Sequence, residues 1–114
     1  MRLHDMAVEA ARTYLEQAGY QVLETCYESP TTGGSADIIA TAKRAIHFID
    51  VTARTEPRKG FPDQSIDRSK LENAAIGYLI ENSGIRDTKV SLDEMCLLVH
   101  GNRAILRHTT GVND

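Results

Sequence analysis

The sequence predicts one α/β domain over residues 1–114, a mixed central sheet flanked by helices in the order αβββαββ. Three observations carry this. Two stretches repeat apolar residues at spacings of three and four, the period of a helix buried on one face. Five shorter stretches are rich in strand formers and are punctuated by glycine, proline or asparagine. The second helical stretch falls between the third and fourth strands and is long enough for a right-handed parallel crossover, which makes the sheet mixed.

Each element has its own signal. From about Asp5 to Ala18, the residues Met6, Ala7, Ala10, Ala11, Tyr14, Leu15 and Ala18 form an apolar stripe, and Gly19 supplies the stop. Asp5, Glu9, Arg12 and Glu16 fall on the other side. Tyr20 to Tyr27 reads as the first strand, and residues 28–34 (E-S-P-T-T-G-G) as a loop. Ile38–Ala40 and Ala45–Val51 follow as a hairpin around the turn Thr41-Ala42-Lys43-Arg44. Thr55 to Gln64 contains Pro57, Gly60 and Pro62 and is excluded from regular structure. The second helix runs from Ser65 or Ser69 to Ser83 with Leu71, Ala74, Ala75, Tyr78 and Leu79 on one face. A Ser69-x-x-Glu72 capping box starts it and Gly84 is its expected C′ residue. Leu92 to His100 and Ala104 to His108 are the last two strands, joined by a Gly101-Asn102 turn.

Composition narrows the class. No apolar run approaches the ~20 residues of a membrane span, and the amino terminus lacks a signal-peptide core, so a cytoplasmic protein is expected. Cys26 and Cys96 sit in separate strand-like segments without metal or redox spacing and are expected to be reduced core residues. His4, His47, His100 and His108 form no H-x-H or H-x-x-x-H pattern, and the strand residues His47 and His100 read as core-edge or surface groups. The net charge of -3 argues against a protein coated with nucleic acid. Positive charge is nevertheless concentrated in one place. Arg54, Arg58, Lys59, Arg68 and Lys70 outnumber Glu56, Asp63 and Asp67, a surplus that fits either a nucleic-acid rim or a solvated loop.

The hairpin carries the chemistry. Asp37 opens its first strand and Asp50 closes its second, so the two carboxylates are expected to meet at the open end. Converging carboxylates repel and favour a bound hard cation, which makes them a candidate metal site. The alternative is structural: Asp37 caps the strand entrance and Asp50 pairs with Arg54 on the same face.

In order and spacing these pieces resemble the YraN-like family of predicted endonucleases, relatives of Holliday-junction resolvases in the PD-(D/E)xK superfamily. The resemblance covers about residues 4–99. Ala11 to Tyr20 is similar to the family's first helix and its Gly-Tyr exit; Gly34 to Ala40 (G-S-A-D-I-I-A) is similar to G-E-I-D-L-I-A. Phe48 to Arg54 (F-I-D-V-T-A-R) is similar to F-V-E-V-K-x-R, and Gly60-Phe61-Pro62 and the helix carrying Ala74, Ala75, Tyr78 and Leu79 also fit. The resemblance implies a restriction-endonuclease-like fold and Mg²⁺- or Mn²⁺-dependent hydrolysis of DNA, branched or flapped. It also implies a homodimer, since related resolvases act as dimers. Asp37, Asp50 and the Val51 carbonyl would hold the ion, and Arg54, Arg58, Lys59, Arg68 and Lys70 would face the nucleic acid.

The chain departs from the pattern at four places. Asp50 replaces the family's glutamate, and Thr52 stands where its lysine is expected. Val8 occupies the first-helix glutamate position with Glu9 beside it, rotated by about 100°. Ser35 replaces the acid before the aspartate motif. Thr52 can orient water but supplies no cation, so Arg54 and Lys70 are the candidates for the missing charge, against the plainer roles of Asp50 partner and solvated helix residue. Two functions follow: a metal-dependent nuclease, or a nuclease fold without catalysis that binds nucleic acid or protein.

Overall fold

The computed structural model describes residues 2–55, 67–85 and 88–111. Arg58 and Lys59 lie outside the described residues. The elements are α1 (Leu3–Gln17), β1 (Gln21–Glu28), β2 (Ser35–Ala42), β3 (Ala45–Arg54), α2 (Arg68–Glu81), β4 (Lys89–His100) and β5 (Arg103–Thr109), the predicted αβββαββ order. They build one five-stranded sheet in the order β1-β2-β3-β4-β5. β3 and β4 pair in parallel, across the α2 crossover, and the other pairs are antiparallel.

Each face of the sheet buries one helix. Ala7, Val8, Ala11 and Leu15 of α1 pack on Ile38, Ile49, Val51, Met95 and Leu97. Leu71, Ala74, Ala75 and Tyr78 of α2 pack on Ile39, Ile46, Phe48 and Leu92. Consecutive residues of β3 thus serve opposite cores, as expected for a central strand covered on both sides. Full burial of a Phe48, Ile49 or Leu15 side chain contributes roughly 1.5–3 kcal/mol.

α1 ends as predicted. Gly19 takes φ 95°, with Tyr20 N–H donating to Leu15 O (2.9 Å) and Gly19 N–H to Glu16 O (3.2 Å), a Schellman closure. Several other expectations need correction. Met6 and Tyr14 are half-exposed, because Val8 rather than either of them fills the α1 core stripe. The hairpin turn is shorter than four residues. Only Lys43 and Arg44 are left out of the ladder, at φ 51° and 65°, a tight left-handed turn made without glycine. Helix α2 is capped by Asp67, whose side chain accepts from Lys70 N–H at 3.1 Å, so Ser69 lies inside the helix. At its other end Asn82 is the C-cap, folding its side-chain amide back on Tyr78 O at 2.8 Å, and Gly84 lies beyond C′. Cys26 is exposed on the edge strand β1, whereas Cys96 is buried. β4 begins at Lys89, three residues early, because the parallel ladder with β3 recruits Lys89 and Ser91 despite their polarity.

The loop before β2 fixes α2 against the sheet. Tyr27, Ser29 and Thr31 hydroxyls all donate to the Glu81 carboxylate, at 2.6, 2.9 and 3.0 Å. Thr32 donates to Asn73 O at 2.6 Å. A Cβ on Gly34 would strike the backbone of Asn73 and Ala74, and one on Gly77 would strike Ser29 Oγ. The two glycines permit this contact, which sets where the first turn of α2 lies relative to β3.

Candidate functional site

The mouth of the β2–β3 hairpin is built by an ending ladder. The last pair is Ile38 with Ile49; one step further the strands separate, and Val51 N–H donates to Asp37 Oδ2 at 2.7 Å. The Asp37 side chain therefore replaces a backbone acceptor. In a strand the N–H and C=O of one residue point to the same edge, so the Val51 carbonyl shares the side that Asp37 occupies. Opposite Asp37 on β1, Cys26 adopts φ 53°, a conformation rare for a side chain of its kind, while the register shift of β1 against β2 lies earlier, between Val22 and Glu24.

Two helices reach this mouth. From the start of α1, His4 Nε2 lies 3.0 Å from Asp37 Oδ1. From the first turn of α2, Lys70 Nζ lies 3.3 Å from Asp50 Oδ1. Burial and the hydrogen bond shared with Asp37 push the Asp50 carboxyl above its ordinary value, while the Lys70 charge pulls it down.

Of the remaining predicted residues, Thr52 faces away from this task. Its Oγ1 donates to Cys96 Sγ at 3.2 Å, and Cys96 in turn donates to Glu94 Oε1 at 3.3 Å. Burial, with Glu94 beside it, pushes the Cys96 thiol up against the lowering bond from Thr52, which keeps it protonated and unreactive. Arg54 is half-buried at the end of β3, and the Asp50 ion pair is made by Lys70 and not by Arg54. The solvated reading of Lys70 is thereby corrected: α2 starts with its side chain directed at β3. Arg68 pairs with Glu72 along α2 at 3.9 Å. Glu9 is exposed on α1 and makes none of the contacts of the mouth; His4, one turn before Val8 on the core-facing stripe, makes them instead.

A second cluster, absent from the sequence reading, lies on the α1 face. His47 Nδ1 and His108 Nε2 both approach Asp93 Oδ2, at 2.6 and 2.7 Å. Ser91 Oγ and the Gly111 amide donate to Asp93 Oδ1, at 2.5 and 3.3 Å. Asp93 is fully buried, which alone would raise its pKa, yet the bonds from His108, His47 and Ser91 hold its carboxyl far below the usual range. The sequence signal was the adjacent pair Asp93-Glu94 inside an apolar strand: one acid must enter each core, and each needs a buried donor.

A mixed sheet with a helix on each face, and a carboxylate pair where its central hairpin opens, is a nuclease-like αβββαββ architecture. Within that class the family follows from sequence. The model of "Uncharacterised protein family UPF0102", the YraN family, matches residues 8–95, and the chain belongs to that family. It is 33% identical over 98 residues to a UPF0102 protein of Lachnoclostridium phytofermentans, covering 83% of this chain and 81% of the relative. A UPF0102 protein of Desulforapulum autotrophicum is 26% identical over 103 residues, covering 89% and 84%. One of Syntrophomonas wolfei is 29% identical over 103 residues, covering 88% and 87%. His4 and His108 lie outside the matched span.

Proposed function

We propose that the hairpin mouth is the active site of a metal-dependent endonuclease that hydrolyses phosphodiesters in branched or flapped DNA. The observation that carries this reading is the Lys70 ammonium, 3.3 Å from Asp50. It returns from α2 the positive charge that Thr52 cannot provide from β3. Asp37, Asp50 and the Val51 carbonyl are hard oxygen donors, and the burial of Asp50 beside a second carboxylate, which raises its carboxyl, suits Mg²⁺ or Mn²⁺. Such an ion supplies activation of water and charge neutralisation at phosphate. Lys70 then stabilises charge on the scissile phosphate, and His4 fixes the orientation of Asp37. Arg54, Arg58, Lys59 and Arg68 supply the remaining positive charge for the DNA backbone.

A second reading has its own observation. Thr52 is hydrogen-bonded to Cys96 and so is occupied in the sheet rather than in the mouth. This favours a nuclease fold without catalysis that retains nucleic-acid or protein binding. Calorimetric titration of Mn²⁺, followed by cleavage assays on flapped and four-way DNA, separates the two. The nuclease reading expects binding that is lost in Asp37→Ala and cleavage that falls ~10²–10³-fold in Lys70→Met. Metal-independent DNA binding with no cleavage by the unaltered protein would establish the second reading.

A further inference from the structure

We propose that His47, Asp93 and His108 form a binding site for one divalent transition-metal ion of the Zn²⁺ class, separate from the hairpin mouth, which fastens β5 to β3 and β4. The three ligand atoms lie within 4.8 Å of one another, and both imidazole nitrogens are directed at the same carboxylate oxygen. Two imidazoles and a carboxylate are the donor set that suits Zn²⁺, Co²⁺ or Fe²⁺ rather than Mg²⁺ or Ca²⁺.

Each imidazole needs little change relative to Asp93 to accept the ion. Metal–ligand bonds of ~2.0–2.1 Å place tetrahedral ligand atoms roughly 3.3 Å apart. The present separations of 2.6 and 2.7 Å therefore open by a fraction of an ångström each, within the reach of side-chain torsions. The ion would take the place of the protons now shared with Asp93 Oδ2. The supporting shell is already in place. Ser91 Oγ and Gly111 N–H hold Asp93 Oδ1, which turns Oδ2 toward the imidazoles. Tyr20 packs against both rings, with centroids 5.1 Å from His47 and 5.8 Å from His108. A cavity of about 460 Å³ lined by Gly19, Tyr20, Lys43, His47 and Thr110 opens beside the His47 ring.

The site joins three strands by side chains far apart in sequence. Because β5 pairs only with β4, at the sheet edge, its attachment to β3 through His108 and His47 is the staple the ion would tighten. The oxygen-rich mouth and this nitrogen-rich site take different metals, so each can fail without the other.

Co²⁺ titration followed by visible absorption tests the proposal on the unaltered protein, Asp37→Ala, His47→Gln and His108→Gln. The expected result is one equivalent of Co²⁺ with tetrahedral d–d bands, displaced by Zn²⁺, retained in Asp37→Ala and lost in both histidine variants. Zn²⁺ at a hundredfold excess over Kd should raise Tm by roughly 10 °C in the unaltered protein and not in the variants. If one histidine variant fails to fold by circular dichroism, the other and the unaltered protein decide the matter. No Co²⁺ bands and no Tm shift in the unaltered protein would overturn the site, as would bands that survive both glutamine substitutions or vanish in Asp37→Ala.

Discussion

Asp50 and Asp93 sit near one another in the sheet, on neighbouring parallel strands, yet their carboxyls are driven in opposite directions. Both lose solvation, which by itself raises a carboxyl pKa. Asp50 shares its surroundings with a second acid, Asp37, and has a single partly exposed ammonium to offset the loss. Asp93 faces donors on both oxygens: two imidazoles, a hydroxyl and an amide. Burial is common to both, so the partners decide the sign. Asp50 is left with one partly exposed cation, whereas Asp93 has donors on both of its oxygens.

The largest break in this contrast is Asp93→Asn. The amide keeps the shape but loses the charge, and its NH₂ group confronts either the imidazoles or the Ser91 and Gly111 donors. Removing one partner from a fully buried charged network costs about 3–5 kcal/mol. Urea unfolding should show that loss at neutral pH. The pH dependence should change with it. Because the folded Asp93 carboxyl lies below its unfolded value of about 3.9, its stabilisation is present above that pH and is lost as pH falls. The variant should therefore have a flatter acid limb. A loss below ~1 kcal/mol would show that the cluster holds little of the fold.

A smaller effect is expected at the mouth, with the opposite sign in pH. Asp50 is raised when folded, so its contribution is present below the unfolded pKa and fades as pH rises through the folded one. Lys70→Met removes the charge that now lowers it, and the Asp50 carboxyl should titrate higher still in ¹³C NMR. The change in stability should stay within ~1 kcal/mol, since the ion pair is partly exposed. An Asp50 titration that is unchanged or moves down would mean that Lys70 does not face it in solution.

The two sites also differ in how far the sequence revealed them. The placing of Asp37 and Asp50 one step beyond the last pair of the hairpin is a local property, fixed by counting outward from one turn, even though the turn is tighter than expected. Lys70 and His4 reach the same mouth from 20 and 33 residues away, and only the packing of α2 and α1 decides that. Nothing in the sequence favours His4 over Glu9; the helix phase does, because Val8 rather than Glu9 faces the core. The Asp93 cluster is less legible still. Its members come from β3, β4 and β5, and the parallel register that sets Ile49 beside Asp93 has no turn to count from. The α2 cap shows the same limit at short range: Asp67 and Ser69 are comparable caps, and packing selected the earlier one.

The smallest predicted effect, at His4, tests how the mouth is held together. His4 lies in the first turn of α1, its side chain half-exposed, and touches Asp37 through one oxygen while Val51 N–H holds the other. An exposed pair of this kind contributes ~0.2–1 kcal/mol, so His4→Ala should barely move the urea midpoint. Its effect belongs instead to Asp37's orientation. With the Val51 bond intact, Asp37 keeps its place but gains freedom about its side chain, and Mn²⁺ affinity should fall by about 10-fold, the lower range for loss of a group that orients a metal ligand. His4→Gln, which can still donate to Asp37, should restore most of it. Equal Mn²⁺ affinity in all three proteins would leave Val51 N–H as the sole support of Asp37 and reduce His4 to a surface contact.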